Sequence, residues 1–172
     1  KRVFCLIFFA LCFASSFSQK GDSLNQEAIE YGKSGEYDKA MTLFLAAINE
    51  FEKEKNQKGI AKSYNNIGML NCHIRKFDNA DMYFHRALKI QKKIDLRQYA
   101  NTLNNIGANW QYRSKNDSAL YDYLKSEDVY LSMKDSTGLY NTLNNIGAIL
   151  LRNHKLNLLV GKYERAFFIA LS

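Results

Sequence analysis

Pairs of asparagines recur along the chain at a nearly constant spacing, and their amides are the most regular source of chemistry in the sequence. The tetrapeptide Asn-Asn-Ile-Gly occupies residues 65–68, 104–107 and 144–147, at intervals of 39 and 40 residues. Each amide both donates and accepts hydrogen bonds, so a column of asparagines can pair with the main chain of an extended peptide. Recurrence at this interval indicates equivalent positions in stacked structural units.

No combination of residues predicts catalysis or metal binding. The sequence has no glycine-rich phosphate loop, no nucleophile elbow and no pair of carboxylates with a defined pocket. Cys72 is the one cysteine beyond residue 18, and we expect it to be a half-buried helix residue because the adjacent His73 points about 100° away on a helix. One thiol and three scattered histidines make no zinc pattern. We therefore expect no enzyme activity, no cofactor and no metal.

Residues 1–18 have the design of a secretory signal peptide. Lys1 and Arg2 precede an apolar run over residues 3–13, and small residues follow. Eleven apolar residues are too few to span a bilayer comfortably. Cleavage after Ser18 makes Gln19 the new N-terminus, and an uncleaved anchor or a buried helix is the alternative. We expect export to the periplasmic or extracellular side of a bacterial membrane.

The charged residues predict a solvated surface rather than a nucleic-acid interface. The net charge of +7 falls to +5 without Lys1 and Arg2, and no dense basic run is present. The acidic positions 50, 52 and 54 alternate with lysines, and 127–128 form a second acidic pair. Both groups are predicted to lie on solvated helix faces.

Apolar residues from Lys20 onward recur at steps of three and four, which predicts helices along the rest of the chain. Around the first Asn-Asn-Ile-Gly motif, the spacing predicts one helix over about 60–74 and a second over about 77–93, with a break at Arg75-Lys76. The absence of proline and a total of nine glycines argue against a turn-rich, all-β chain.

The order of large, small and aromatic residues in these helix pairs resembles the tetratricopeptide repeat. In the unit that carries the first motif, the matching residues are Tyr64, Gly68, Phe77, Ala80, Phe84 and Ala87. The resemblance implies an all-α fold, a right-handed α-solenoid of four stacked helix-turn-helix units at about 21–60, 61–99, 100–139 and 140–172. The interval near 40 residues exceeds the usual 34, as in kinesin-light-chain-like repeats and exported bacterial sensor proteins with such repeats.

The resemblance also implies which side chains line the concave groove. The first asparagine of each motif, extended back to the unit that lacks the signature, is expected to contact ligand, whereas the second column, Gln26, Asn66, Asn105 and Asn145, is expected to be scaffold. The predicted peptide-binding residues are Asn25, Asn65, Asn104 and Asn144, with Lys62, Asn101 and Asn141 on one side and Lys33, His73, Tyr112 and Arg152 on the other. A solvated polar helix face is the alternative for all of them.

The function that follows is a non-catalytic scaffold that binds a peptide or partner protein, with an acidic segment as one candidate because Lys33 and Arg152 favour carboxylates. The alternative is the exported sensor domain of a bacterial histidine kinase or helix-turn-helix regulator, with a membrane-anchored continuation beyond residue 172. Nucleic acid is not an expected partner of this segment. Apolar residues at 167–171 make a homodimer through the last helix a further candidate.

Overall fold

The structure is a computed structural model that describes residues 20–152 and 160–164. The predicted signal peptide and the apolar residues at 167–171 lie outside the described residues. The described residues are helical except for short connections of one to three residues. The helices are α1 (20–33), α2 (Tyr37–Lys53), α3 (Gln57–His73), α4 (Phe77–Ile94), α5 (Leu96–Tyr112), α6 (Asn116–Ser132) and α7 (Ser136–Arg152), followed by a helical stretch over 160–164.

The predicted helix pair around the first motif is confirmed as α3 and α4. Each helix that carries the motif begins four residues before the predicted start of its unit, at positions 57, 96 and 136. A side-chain acceptor precedes each start and bonds a main-chain N–H of the first turn, which satisfies a donor that the helix leaves unpaired. The acceptors are Asn56 for Gly59 (2.9 Å), Asp95 for Gln98 (3.1 Å) and Asp135 for Gly138 (3.1 Å).

Five of the connections between helices use the same three-residue turn. The middle residue of each turn has a positive φ, a conformation in which glycine is the least strained residue. Only the turn between α1 and α2 has glycine there, since Gly35 takes a φ of 84°. The other four turns hold a side chain in this conformation, namely Lys55 (56°), Arg75 (61°), Ser114 (59°) and Lys134 (54°).

The described residues divide into two compact units, a first unit up to residue 90 and a second unit from residue 91 onward, and each has its own apolar core. The core of the first unit includes Phe44, Phe51 and Ile67, and that of the second includes Tyr123, Tyr130 and Ile146. In both units a motif glycine lies directly under an aromatic ring of the next helix. A Cβ added to Gly68 would lie 2.4 Å from Phe84, and one added to Gly107 would lie 2.6 Å from Tyr123. The absence of a Cβ at these glycines therefore allows the two helices to approach closely where they cross.

Two of the acidic residues predicted on solvated faces are buried instead. Glu127 is 4% exposed and accepts a hydrogen bond from Lys162 at 2.5 Å. Glu50 is 7% exposed and pairs with Lys53 at 2.9 Å and Lys20 at 3.3 Å. The prediction was wrong for both positions. Lysine partners offset the burial of the two carboxylates, and two of these partners, Lys20 and Lys162, are distant in sequence and leave no local signal.

Candidate functional site

The first asparagine column begins with a buried side chain. Asn25 on α1 is 1% exposed, and its Nδ2 donates to Ser63 Oγ on α3 at 2.8 Å. Ser63 is fully buried, and its Oγ lies 3.1 Å from Asn25 Oδ1 and 3.0 Å from the carbonyl oxygen of Gly59. Asn25 therefore joins the first helices of two successive repeats. The prediction that it contacts ligand was wrong, because this pairing removes it from the surface.

The same bond recurs in the second unit. Asn104 Nδ2 on α5 donates to Thr142 Oγ1 on α7 at 2.8 Å, and that hydroxyl lies 2.9 Å from the carbonyl oxygen of Gly138. In both cases the partners are 38 residues apart, and the hydroxyl lies two residues before the next asparagine of the column. Asn104 therefore also joins two helices, but it is half-buried and its Oδ1 has no hydrogen-bond partner among the described residues, so ligand contact at this position stays a prediction.

The other two members of the first column are more exposed to solvent than Asn25. Asn65 is half-buried, and its Nδ2 lies 3.7 Å from Met69 Sδ. Asn144 is exposed and its Oδ1 accepts a hydrogen bond from Tyr163 at 2.8 Å. Ligand contact at these two positions stays a prediction.

The second asparagine column reaches a groove that the sequence did not assign to it. A cavity of about 260 Å³ lies between α1 and α3 in the first unit. Asn66 lines it, although this amide was expected to be scaffold. The Nδ2 atom of Asn66 is buried, with no hydrogen-bond partner among the described residues. A buried donor without a partner costs free energy, so this atom is suited to an incoming acceptor.

Most of the other residues that line the groove are apolar, and two of them are polar. The apolar lining consists of Ala28, Ile29, Phe44, Met69 and Leu70, with Gly32 from the last turn of α1. Lys33 and His73 complete the lining, so the structure brings together these two predicted residues. The Lys33 ammonium lies 2.9 Å from Glu30, and the His73 ring meets Tyr37 edge-on at 6.1 Å between centroids.

The remaining predicted residues do not line this groove. Lys62 is exposed and pairs with Asp22 at 3.5 Å. Asn101 accepts a hydrogen bond from the buried Tyr130 at 2.5 Å, which makes it part of the packing of the second unit. Asn141, Tyr112 and Arg152 are exposed in the second unit, and their contact with a ligand stays a prediction.

The described residues hold no candidate nucleophile or metal cluster. Burial, with a smaller effect from Asp81, raises the pKa of the Cys72 thiol to about 12, so the thiol stays protonated at neutral pH. Across 20–152 and 160–164, no three or more His, Cys, Asp or Glu side chains converge as metal ligands would. His85 lies exposed on α4, and His154 lies outside the described residues. No helix among the described residues has the length and apolar character needed to cross a membrane.

Solved structures with similar folds are repeat proteins. BtubC (BKLC) from P. vanneervenii is 22% identical with a TM-score of 0.71, over 87% of this chain and 62% of that one. RapI in its apo form is 16% identical with a TM-score of 0.75, over 90% of this chain and 43% of that one. The kinesin light chain TPR-like repeats from Podosopora anserina are 12% identical with a TM-score of 0.69, over 89% and 75%. These similarities establish the fold.

Sequence comparison finds a relative and a family match. The uncharacterized protein ycf37 of Guillardia theta is 31% identical over 129 residues, which are 75% of this chain. The chain spans about 60% of the length of that relative. A family model described as tetratricopeptide repeat matches residues 59–132. These findings confirm the predicted resemblance to the tetratricopeptide repeat, and the fold is the all-α solenoid that the sequence predicted.

Proposed function

We propose that the chain is a non-catalytic scaffold that captures an extended segment of a partner protein in the groove between α1 and α3. The observation that carries this proposal is the amide of Asn66, which lines a mostly apolar groove and whose buried Nδ2 is a donor with no partner among the described residues. An extended peptide supplies main-chain carbonyls to such a donor and apolar side chains to such walls. Tetratricopeptide repeats typically serve protein–protein interaction, which agrees with this assignment.

The partner segment in this proposal also carries a carboxylate. Lys33 stands at the groove and already holds one carboxylate oxygen, that of Glu30. Both side chains are more than half exposed, so their ion pair contributes little to stability and exchanges readily. A partner carboxylate can therefore replace Glu30 at small cost. His73, which also lines the groove, offers a second polar contact.

The first test uses peptides selected against the full chain from a random phage-displayed library. We expect Asn66→Ala to weaken binding of a selected peptide about 5- to 30-fold, because the peptide acceptor loses the Asn66 donor. Fluorescence anisotropy with the labelled peptide measures this change. Asn49→Ala is the matched control, since Asn49 is an exposed helical asparagine on α2, outside the groove, and it should leave affinity unchanged.

Two outcomes contradict the proposal. One is that the selected peptides bind equally well to the wild type and to Asn66→Ala. The other is that no library peptide binds to the face between α1 and α3. For the acidic character, Lys33→Ala should weaken binding of Asp- or Glu-containing peptides and leave neutral ones unaffected.

We further propose that capture takes place after export, on the periplasmic or extracellular side of a bacterial membrane. Support comes from the basic residues, apolar run and small residues of positions 1–18. A more specific form of this function is a sensor domain, in which ligand binding is signalled to a membrane-anchored continuation of the chain. Expressed in a bacterial host with an initiator methionine before Lys1, the chain should yield an exported species that begins at Gln19. Intact mass and N-terminal sequencing measure this, and an uncleaved chain in the cytoplasmic fraction would contradict it.

A further inference from the structure

Gly32 is a glycine that neither the backbone nor the packing of α1 requires. Its φ lies outside the positive range that strains other residues. A Cβ added there would lie 3.5 Å from Leu70 Cδ1 and 3.9 Å from the Cβ of Ala40, which are ordinary van der Waals contacts. Gly68 differs sharply, because its added Cβ would overlap Phe84. Glycine is also a poor helix residue, so folding alone favours alanine at position 32.

The equivalent positions of the other repeats all carry larger side chains. Counting seven residues on from the first asparagine of each motif gives Cys72, Gln111 and Leu151. The same count from Asn25 in the first repeat gives Gly32. The missing side chain leaves space in the wall of the groove, beside Ile29 and Leu70. The cavity of the first unit therefore depends on a residue that the other repeats do not share.

We propose that the space beside Gly32 is a subsite for one aliphatic or aromatic side chain of the partner, and that an acidic group lies next to this side chain in the partner. This inference rests on the proposed function and names the chemistry of the segment that is bound. The walls that meet the side chain are apolar, and burial of apolar surface drives its entry. Asn66 Nδ2 then meets a carbonyl oxygen beside the anchor, and Lys33 meets the carboxylate.

Charge and shape together favour this occupant over a purely polar one. A polar side chain in the subsite would leave its own groups facing Ala28, Phe44 and Leu70, which offer no hydrogen-bonding side chains. A basic neighbour in the partner would be repelled by Lys33. The geometry thus selects an apolar anchor with an adjacent acid.

N-acetylleucine is a small probe that carries all three groups, an apolar side chain, an acetyl carbonyl and a carboxylate. In methyl-labelled full chain, NMR titration should shift the signals of Ile29 and Leu70, and N-acetylserine should bind at least about tenfold more weakly. Gly32→Leu fills the subsite, so the affinity for N-acetylleucine should fall at least about tenfold. Equal affinities for the two probes, or an unchanged affinity in Gly32→Leu, overturn the inference.

Gly32→Ala keeps the test valid if the leucine variant does not fold, because its Cβ fits without displacing a neighbour. We expect a melting temperature equal to or above that of the wild type, with weaker N-acetylleucine binding. Lower stability together with unchanged binding would show that Gly32 serves folding, and would overturn the inference. A library-selected peptide that binds in an Asn66-dependent and Gly32-independent manner overturns this inference alone. The absence of any peptide that binds this face overturns the proposed function as well.

Discussion

Replacing Gly68 by alanine should lower the free energy of unfolding by about 1–3 kcal/mol. The added Cβ would lie 2.4 Å from Cε1 and 2.5 Å from Cδ1 of Phe84, distances that packed carbon atoms do not reach. Phe84 is fully buried, so its ring cannot move aside without displacing other core residues. Steric overlap therefore outweighs the gain in helix propensity, which for glycine to alanine is about 1 kcal/mol. Urea unfolding followed by circular dichroism measures the change.

Two further variants separate the overlap from a general effect of glycine replacement. Gly32→Ala makes the same chemical change in a helix where the Cβ has room, so its effect on stability should be neutral or favourable. In the second variant Phe84→Leu removes the ring, and the cost of Gly68→Ala should then shrink, which a double-mutant cycle reports as a coupling of about 0.5–3 kcal/mol. Additive effects of the two replacements would contradict direct contact between Gly68 and Phe84.

The sequence predicted the helix pairs because their signals are local. Apolar spacing sets the helices, and a small residue opposite an aromatic residue marks each crossing, as at Gly68 with Phe84 and Gly107 with Tyr123. It misassigned Asn25 and Asn66 because adjacent residues on a helix point about 100° apart, so that the two columns lie on different sides of the helix. Which of the two side chains points toward the next repeat depends on packing between helices that are distant in sequence. Asn25 is buried at such a contact, whereas Asn66 reaches the groove.

A column of hydroxyl residues is the sequence signal that points to the correct assignment. A hydroxyl residue stands two positions before each motif asparagine, as Ser63, Thr102 and Thr142, and all three are fully buried. Buried hydroxyls need hydrogen-bond partners. For Ser63 and Thr142 the partner is the asparagine 38 residues earlier in the chain, so the shared period of the two columns is the sequence signal for these two bonds.

The first repeat, at about 21–60, lacks the motif for a reason that the structure supplies. Glu27 stands at the position that Ile67, Ile106 and Ile146 hold in the other repeats. The three isoleucines are at most 2% exposed, whereas Glu27 is exposed. The side chain at position 27 of α1 is exposed to solvent, so a polar residue is suited to this position and an isoleucine is not needed. By contrast, nothing in the sequence pattern marks Gly32 as part of a cavity, because its role depends on the separation of α1 and α3 in space.

Asn25→Ala should lower the free energy of unfolding by about 1–3 kcal/mol, although the side chain it removes was predicted to contact ligand. The change removes a buried hydrogen bond of 2.8 Å between α1 and α3 and leaves a small cavity beside Ser63. Gln26→Ala is the matched control, since Gln26 is the exposed neighbour and its loss should change stability by no more than about 0.5 kcal/mol. Chemical unfolding of the three proteins at one pH measures both effects.

A double-mutant cycle tests whether the asparagine acts through the hydroxyl. Asn25→Ala and Ser63→Ala should be less costly together than the sum of their separate effects, by about 0.5–3 kcal/mol, because either change alone breaks the same bond. Asn104 and Thr142 repeat the bond in the second unit, so the same cycle there should give a coupling of the same sign. If Asn25→Ala instead unfolds like the wild type and loses peptide binding, the column contacts ligand and its assignment to repeat packing is wrong. A structural bond and a ligand contact thus predict opposite results for one substitution, so Asn25→Ala distinguishes the two roles at this position.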